Sequence, residues 1–299
     1  MQASERASIL AELTPPFTLL TPPTQVAPVV FCSPHSGRIY PKSFLEASRL
    51  DPHTLRKSED CYVDELFEGV VGLGAPLLAA RFPRAYLDVN REPYELDPEL
   101  FSGRLPDFAN TQSARVMGGL GTIARIVADT EEIYRERLPI TTAFERIERL
   151  YRPFHGALAG LLEATRRQFG MAVLIDCHSM PSASMGQPIG ARPHFVLGDR
   201  FGTSCDTKLT RFTRDILQAG GYEVQINRPY AGGFITEYYG NPAQGIQCLQ
   251  LEINRALYLD EATLSKSKNF ANLANTLGAM AAQVFQALPA LLERRAAAE

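Results

Sequence analysis

Short apolar runs at about 29–33, 77–81, 85–89, 171–176, 193–197, 222–226 and 246–252 alternate with stretches of helical periodicity, which restricts this chain to an α/β architecture. The clearest helical stretch covers about Thr141 to Phe169. There Ile147, Leu150, Tyr151, Phe154, Leu158, Leu161 and Leu162 recur at three- and four-residue steps, and Gly170 supplies a stop. Further helices are expected from near Ser58, from about Asp206 to the Gly220-Gly221 pair, and over about Leu264 to Leu292. A chain of 299 residues is long enough for one large core, so residues 1–299 are read as a single α/β domain, with 1–28 an N-terminal extension and 293–299 a tail. The Gly-rich segments 101–122 and 181–192 fit neither period and are candidate active-site loops.

Composition narrows the function classes. Lys+Arg 30 against Asp+Glu 33 gives a net charge of −3, which argues against a nucleic-acid partner. Apolar runs are interrupted before membrane-spanning length, and the N-terminus carries acids and prolines where a signal peptide would be basic and then apolar. A soluble cytoplasmic protein with no membrane partner is therefore expected. The five cysteines, Cys32, Cys61, Cys177, Cys205 and Cys248, are scattered without a CxxC pair and read as reduced core thiols.

Two of the apolar runs stop at a histidine. LIDCHSM ends at His178 and VVFCSPHSG at His35, and open α/β sheets place their chemistry just past strand ends. A single histidine in a turn is more often structural. Two at matched strand ends form a candidate metal pair, because a catalytic zinc site takes about three protein ligands and leaves one position for water. His53, His155 and His194 lack that placement and are left as structural or surface residues. The segment SEDCYVD offers a third ligand, with Asp60 preferred and Asp64, one turn on, suited to orienting a ligand; the plainer reading is a helix start capped by Ser58.

Two further segments pair charge with strand ends. In AYLDVNRE, Asn90 and Arg91 form an amide and a planar fork suited to a carboxylate, against the alternative of a surface salt bridge to Glu92 or Glu95. In IQCLQLEINR, Glu252 lies late in an apolar strand, where an ionised carboxylate needs a metal, a cation or a proton-transfer role.

Taken in order, SPHSGRIYP at 33–41, SEDCYVDEL at 58–66, FPRAYLDVNREP at 82–93, DCHSMP at 176–181, NRPYAGGFITEYYGNP at 227–242 and QLEINR at 250–255 resemble the N-formylglutamate amidohydrolase family. The resemblance covers roughly residues 28 to 260. It implies a mixed, largely parallel central sheet flanked by helices, zinc-exopeptidase-like (phosphorylase/hydrolase-like) and related to the aspartoacylase-like deacylases. It also implies hydrolysis of a formyl amide, as in N-formyl-L-glutamate, to formate and the free amino acid. On this resemblance His35, Asp60 and His178 are the metal set and Glu252 is the general base. Arg38 stands where the zinc exopeptidase pattern has a glutamate, so the carboxylate ligand falls to Asp60, with Glu59 as fallback, and Arg38 is an oxyanion-stabilising candidate. Asn90 and Arg91 match the segment with which the related deacylases hold a substrate carboxylate. Gly232 and Gly233 match the family's backbone approach to substrate, with Arg228 and Tyr230 as further contacts.

The expected partner is a small carboxylated N-acyl compound and the expected cofactor Zn2+, although a His/His/carboxylate set also accepts Mn2+, Co2+ or Fe2+. Three other readings stay open: a related hydrolase or carboxypeptidase-like enzyme acting on another N-acyl amino acid or peptide; a metal-free small-molecule-binding relative; and a serine or cysteine hydrolase using Ser33, Ser179 or Cys177. No Gly-x-Ser-x-Gly elbow supports the last. Oligomeric state is not legible in the chain.

Overall fold

The structure is a computed structural model and describes residues 5–127, 131–183 and 193–292. The candidate loop at 181–192 lies outside the described residues from 184 onward.

Seven strands form the main sheet: β1 (Phe17–Leu20), β2 (Val29–Ser33), β3 (Leu77–Ala80), β4 (Ala172–Met180), β5 (Phe195–Gly198), β6 (Val224–Ile226) and β7 (Ile246–Asn254), in the order β1-β3-β2-β4-β7-β5-β6. β2 pairs with β4, β4 with β7 and β5 with β6 in parallel, while β5 runs antiparallel to β7. The sheet is thus mixed and mostly parallel. All nine residues of β4 and eight of nine in β7 are buried, which explains why these strands read as continuous apolar runs rather than as alternating patterns.

Contacts within the chain gather it into two compact units. One comprises the residues up to Leu19 with Ser33–Tyr62 and Leu78–Gly160, the other Leu20–Cys32, Val63–Leu77 and the residues from Leu161. In the first, helix α1 (Glu5–Glu12) packs on α4 (Ile140–Arg146). Glu5 accepts from Arg146 Nε at 2.5 Å and from the Tyr86 hydroxyl, and Arg146 also donates to Tyr86 O and Tyr134 Oη. A buried guanidinium is tolerable only when so many of its donors are engaged. From Glu5 onward the N-terminal extension therefore packs against the rest of this unit, because Ile9 and Leu13 supply a buried face and Glu5 a partner for a buried cation.

In the second unit, α7 (Phe270–Leu292) packs on α6 (Thr207–Ala219) and on α3 (Val63–Phe67). It buries Leu273, Leu277, Met280, Ala281, Val284 and Leu288, the three- and four-residue spacing of one helix face. Asp206 caps α6 through Lys208 N, and Gly220 closes it.

Three expectations are corrected. Residues 85–89 form no strand: Tyr86 N and Leu87 N bond to Pro83 O, and Asp88 N to Thr122 O, so the segment is a buried run of turns. It is apolar because it is enclosed, not because it is pleated. No helix starts at Ser58, whose hydroxyl donates back to Leu55 O; Tyr62 takes φ +60°, and α3 begins only at Val63. The long helix from Ile140 to Phe169 is interrupted by a π-helical turn, Ile147–Tyr151, before α5 (Arg152–Phe169) continues it.

Candidate metal centre and active site

His35 leaves β2 in a tight turn in which the hydroxyls of Ser33 and Ser36 lie 2.7 Å apart. Two residues on, a Cβ at Gly37 would sit 2.1 Å from Phe82 O, so glycine is obligatory for the turn to pass that carbonyl. The imidazole is buried, with Nε2 2.7 Å from Asp88 Oδ1 and Nδ1 3.4 Å from Asp60 Oδ2. Asp60 N donates to His35 O, which ties the turn at 58–62 to the histidine's own backbone.

Asp88 is heavily engaged. Its Oδ1 also accepts from Asn90 N at 2.8 Å, Arg84 Nη2 reaches Oδ2 at 2.8 Å, and Arg91 Nη2 lies 3.7 Å away. Burial pushes this carboxyl up, but Arg91, His35 and Arg84 outweigh it and hold Asp88 well below the usual carboxylate range. Arg91 is largely buried as well: Nε donates to Leu120 O and Nη1 to Asn90 O. Glu59, the fallback ligand, is buried among Tyr40 Oη at 2.6 Å, Arg56 Nε at 3.1 Å and Cys61 Sγ at 3.3 Å, which commits its oxygens to a network of their own. Arg38 is exposed, its guanidinium 5.4 Å from the centre of the Tyr62 ring.

His178 lies inside β4 rather than beyond it, because the ladder to β7 continues through Met180. Asp176, two residues earlier and on the same face of the strand, holds His178 Nε2 at 3.0 Å. Across the ladder His178 is paired with Glu252 and Asp176 with Gln250, so one face of two adjacent strands carries an imidazole and two acids. Glu252 Oε1 accepts from Gln250 Nε2 at 3.0 Å, and Gln250 Oε1 accepts from Gly233 N at 2.7 Å. That chain joins the candidate base to the candidate substrate loop. The loop itself turns on Gly232 at φ +125°, where a Cβ would meet the side chains of Arg200 and Thr236, and a Cβ on Gly198 would sit 2.7 Å from Ala231 C. Tyr230 is half-buried and Arg228 exposed.

One ligand atom each of His35, Asp60 and His178 lies within 4.8 Å of the other two, and all three residues are buried. The donor set suits a divalent cation. With Nε2 of each histidine directed to a carboxylate, Nδ1 keeps the lone pair that a cation needs, and two lone-pair-bearing atoms such as His35 Nδ1 and Asp60 Oδ2 at 3.4 Å repel unless a proton or a cation accompanies them.

The sequence reading missed Asp88 and Asp176 as orienting groups. Asp176 was legible in principle, since Asp-x-His within a strand puts both side chains on one face. Asp88 was not, because nothing in a linear reading pairs it with His35. Two of the remaining histidines bond backbone, His155 Nε2 meeting Val89 O at 2.8 Å and His194 Nδ1 accepting from Glu223 N, while the backbone N–H of His53 donates to the Asp51 cap of α2 (Pro52–Arg56). The alternative nucleophiles are otherwise occupied. Ser33 bonds Ser36, Ser179 Oγ accepts from Arg255 Nε at 3.1 Å, and burial pushes the Cys177 thiol well up.

Comparison with known proteins gives the chain's family. The family described as N-formylglutamate amidohydrolase matches residues 27–259. An N-formylglutamate deformylase of Pseudomonas putida is 31% identical over 241 residues, which cover 78% of this chain and 82% of the relative. The crystal structure of N-formylglutamate amidohydrolase from Ralstonia eutropha JMP134 is 36% identical with a TM-score of 0.84, covering 91% of this chain and 97% of that one. The crystal structure of gene product Atu2144 from Agrobacterium tumefaciens, 17% identical with a TM-score of 0.67 and coverage of 91% and 95%, shares the fold. Over most of its length, then, this chain belongs to the N-formylglutamate amidohydrolase family.

Proposed function

We propose that this chain, as one amidohydrolase domain, is a metal-dependent enzyme that cleaves the formyl amide of N-formyl-L-glutamate, or of a similar carboxylated N-acyl amino acid, to formate and the free amino acid. The observation that carries the reading is the buried grouping of His35, Asp60 and His178 in a chain of this family, with Glu252 one ladder rung from His178. His35, Asp60 and His178 would hold a divalent cation, zinc by the family resemblance, which when bound would supply Lewis acidity and lower the pKa of water.

The protein's own groups do the rest. Glu252 takes a proton from the attacking water on its carboxylate and returns it to the leaving amine nitrogen. Its bond from Gln250 fixes which way that carboxylate faces. Asn90 and Arg91 hold the substrate carboxylate, and Arg91 is suited to this because backbone carbonyls already hold its fork in place. Arg38 supports the developing oxyanion, and Arg228, Tyr230, Gly232 and Gly233 line the substrate. A cramped acyl pocket that accepts hydrogen but not methyl gives preference for formyl.

The test couples metal analysis of freshly purified protein to formate release from N-formyl-L-glutamate, compared with N-acetyl-L-glutamate. Metal at one equivalent with turnover of the formyl compound alone supports the proposal. Comparable release of acetate moves the substrate to another N-acyl amino acid. Absence of both metal and turnover leaves a small-molecule-binding relative.

A further inference from the structure

The segment Asp88–Arg91 reaches the site in two ways, through Asp88 on His35 and through Asn90 and Arg91, yet it is a run of turns with no ladder to hold it. Two of its carbonyls are held from one helix. Tyr151 Oη donates to Arg91 O at 2.7 Å, and His155 Nε2 lies 2.8 Å from Val89 O. Because carbonyl oxygen only accepts, the histidine must carry its proton on Nε2. The two side chains are four residues apart, so they share a helix face, and their rings meet at 4.2 Å between centroids with a 32° tilt. Tyr151 closes the π-helical turn Ile147–Tyr151, and His155 follows one turn later in α5. A π-helical turn holds one extra residue and so rotates the helix after it. Here that rotation sets the helix face from which Tyr151 and His155 reach the segment.

We propose that Tyr151 and His155 are positioning residues: a two-point clamp, set in phase by the π-helical turn, that fixes the Asp88–Arg91 backbone and through it the aim of the Arg91 guanidinium. This rests on the reading of Asn90 and Arg91 as the holders of the substrate carboxylate. Arg91 Nη1 donates to Asn90 O, the carbonyl between the two clamped ones, so a shift of this backbone moves the guanidinium directly. A clamp acting this way changes substrate affinity more than the chemical step.

The experiment compares Tyr151→Phe, His155→Ala, His155→Gln and Arg91→Ala, each alone, and Tyr151→Phe combined with Arg91→Ala, in the full-length metal-loaded protein. Loss of one hydrogen bond to the segment is expected to raise KM for N-formyl-L-glutamate about five- to tenfold, with kcat changed less than about threefold. His155→Gln, whose amide can donate to Val89 O, should restore most of the loss seen in His155→Ala. KM for an uncharged formamide should not move. In the Arg91→Ala background Tyr151→Phe should add nothing, since the group it aims is gone. If Arg91→Ala raises KM while Tyr151→Phe and His155→Ala leave it unchanged and lower only the melting temperature, the clamp is refuted and the carboxylate reading survives. If Arg91→Ala itself leaves KM unchanged, that reading falls and the clamp with it. Equal KM increases on charged and uncharged substrates would also overturn the proposal.

Discussion

Nε2 of His35 lies 2.7 Å from Asp88 Oδ1, and the carboxylate is fixed in turn by Arg84 and by Asn90 N. The pair sets which imidazole nitrogen keeps its lone pair, and Asp176 on His178 repeats the arrangement from a different part of the chain. A histidine so held presents Nδ1 in one orientation and in one protonation pattern.

Replacing Asp88 by Asn removes that charge while keeping the shape. Metal affinity is expected to fall about 10- to 100-fold, as for other groups that orient a ligand. Competition with a chromogenic chelator measures it, and unchanged affinity would reduce Asp88 to a partner of Arg84 and Arg91.

Glu252→Gln keeps the bond from Gln250 available and removes the proton acceptor. Metal content should stay at the wild-type level while kcat falls by about 10²- to 10⁴-fold. Retained turnover would take the base role away from Glu252.

The two adjacent acids, Glu59 and Asp60, separate by opposite phenotypes. Glu59→Gln strips the charge from a buried network with Tyr40 and Arg56 and should lower stability by about 2–4 kcal/mol while metal still binds. Asp60→Asn should instead abolish tight metal binding with a smaller change in denaturation midpoint. The reverse pattern would move the ligand to Glu59.

All five cysteines are buried, and burial raises the thiols of Cys32, Cys177, Cys205 and Cys248. A thiol reagent at neutral pH should therefore label none of them in the folded protein within minutes and all five after unfolding. Activity should survive the native treatment; fast labelling with inactivation would revive a cysteine nucleophile.

The sheet was legible because its long strands are enclosed on both faces, which writes them into the sequence as unbroken apolar runs. The same signal misled at 85–89, where Ala85, Tyr86, Leu87 and Val89 are as buried as any strand, but Tyr86 N and Leu87 N bond to Pro83 O, Asp88 N to Thr122 O, and the carbonyls of Tyr86 and Val89 to helix side chains. Apolar content reports enclosure, and only the hydrogen-bond partners distinguish a strand from a packed turn. Of the grouped residues, only His35 stands just past a strand end; His178 lies within β4 and Asp60 in a loop, so these two stood out through the acid-rich segment and the family motifs. Asp88 was visible only as part of a motif, since its partner stands 53 positions away in sequence. The order in the N-terminal segment was hidden for a similar reason: the cation that holds Glu5, Arg146, lies 141 positions downstream.

The rung shared by His178 and Glu252 makes the backbone itself the ruler for their separation. Neighbouring parallel strands stand about 4.8 Å apart, and side chains alternate faces at every step. A slip of β7 by a single residue would therefore turn Glu252 to the opposite side and bring Leu251 or Ile253 in its place. Buried apolar residues along both strands oppose that slip, so the packing that holds the core together also guards the spacing between the His178 imidazole and the acid beside it.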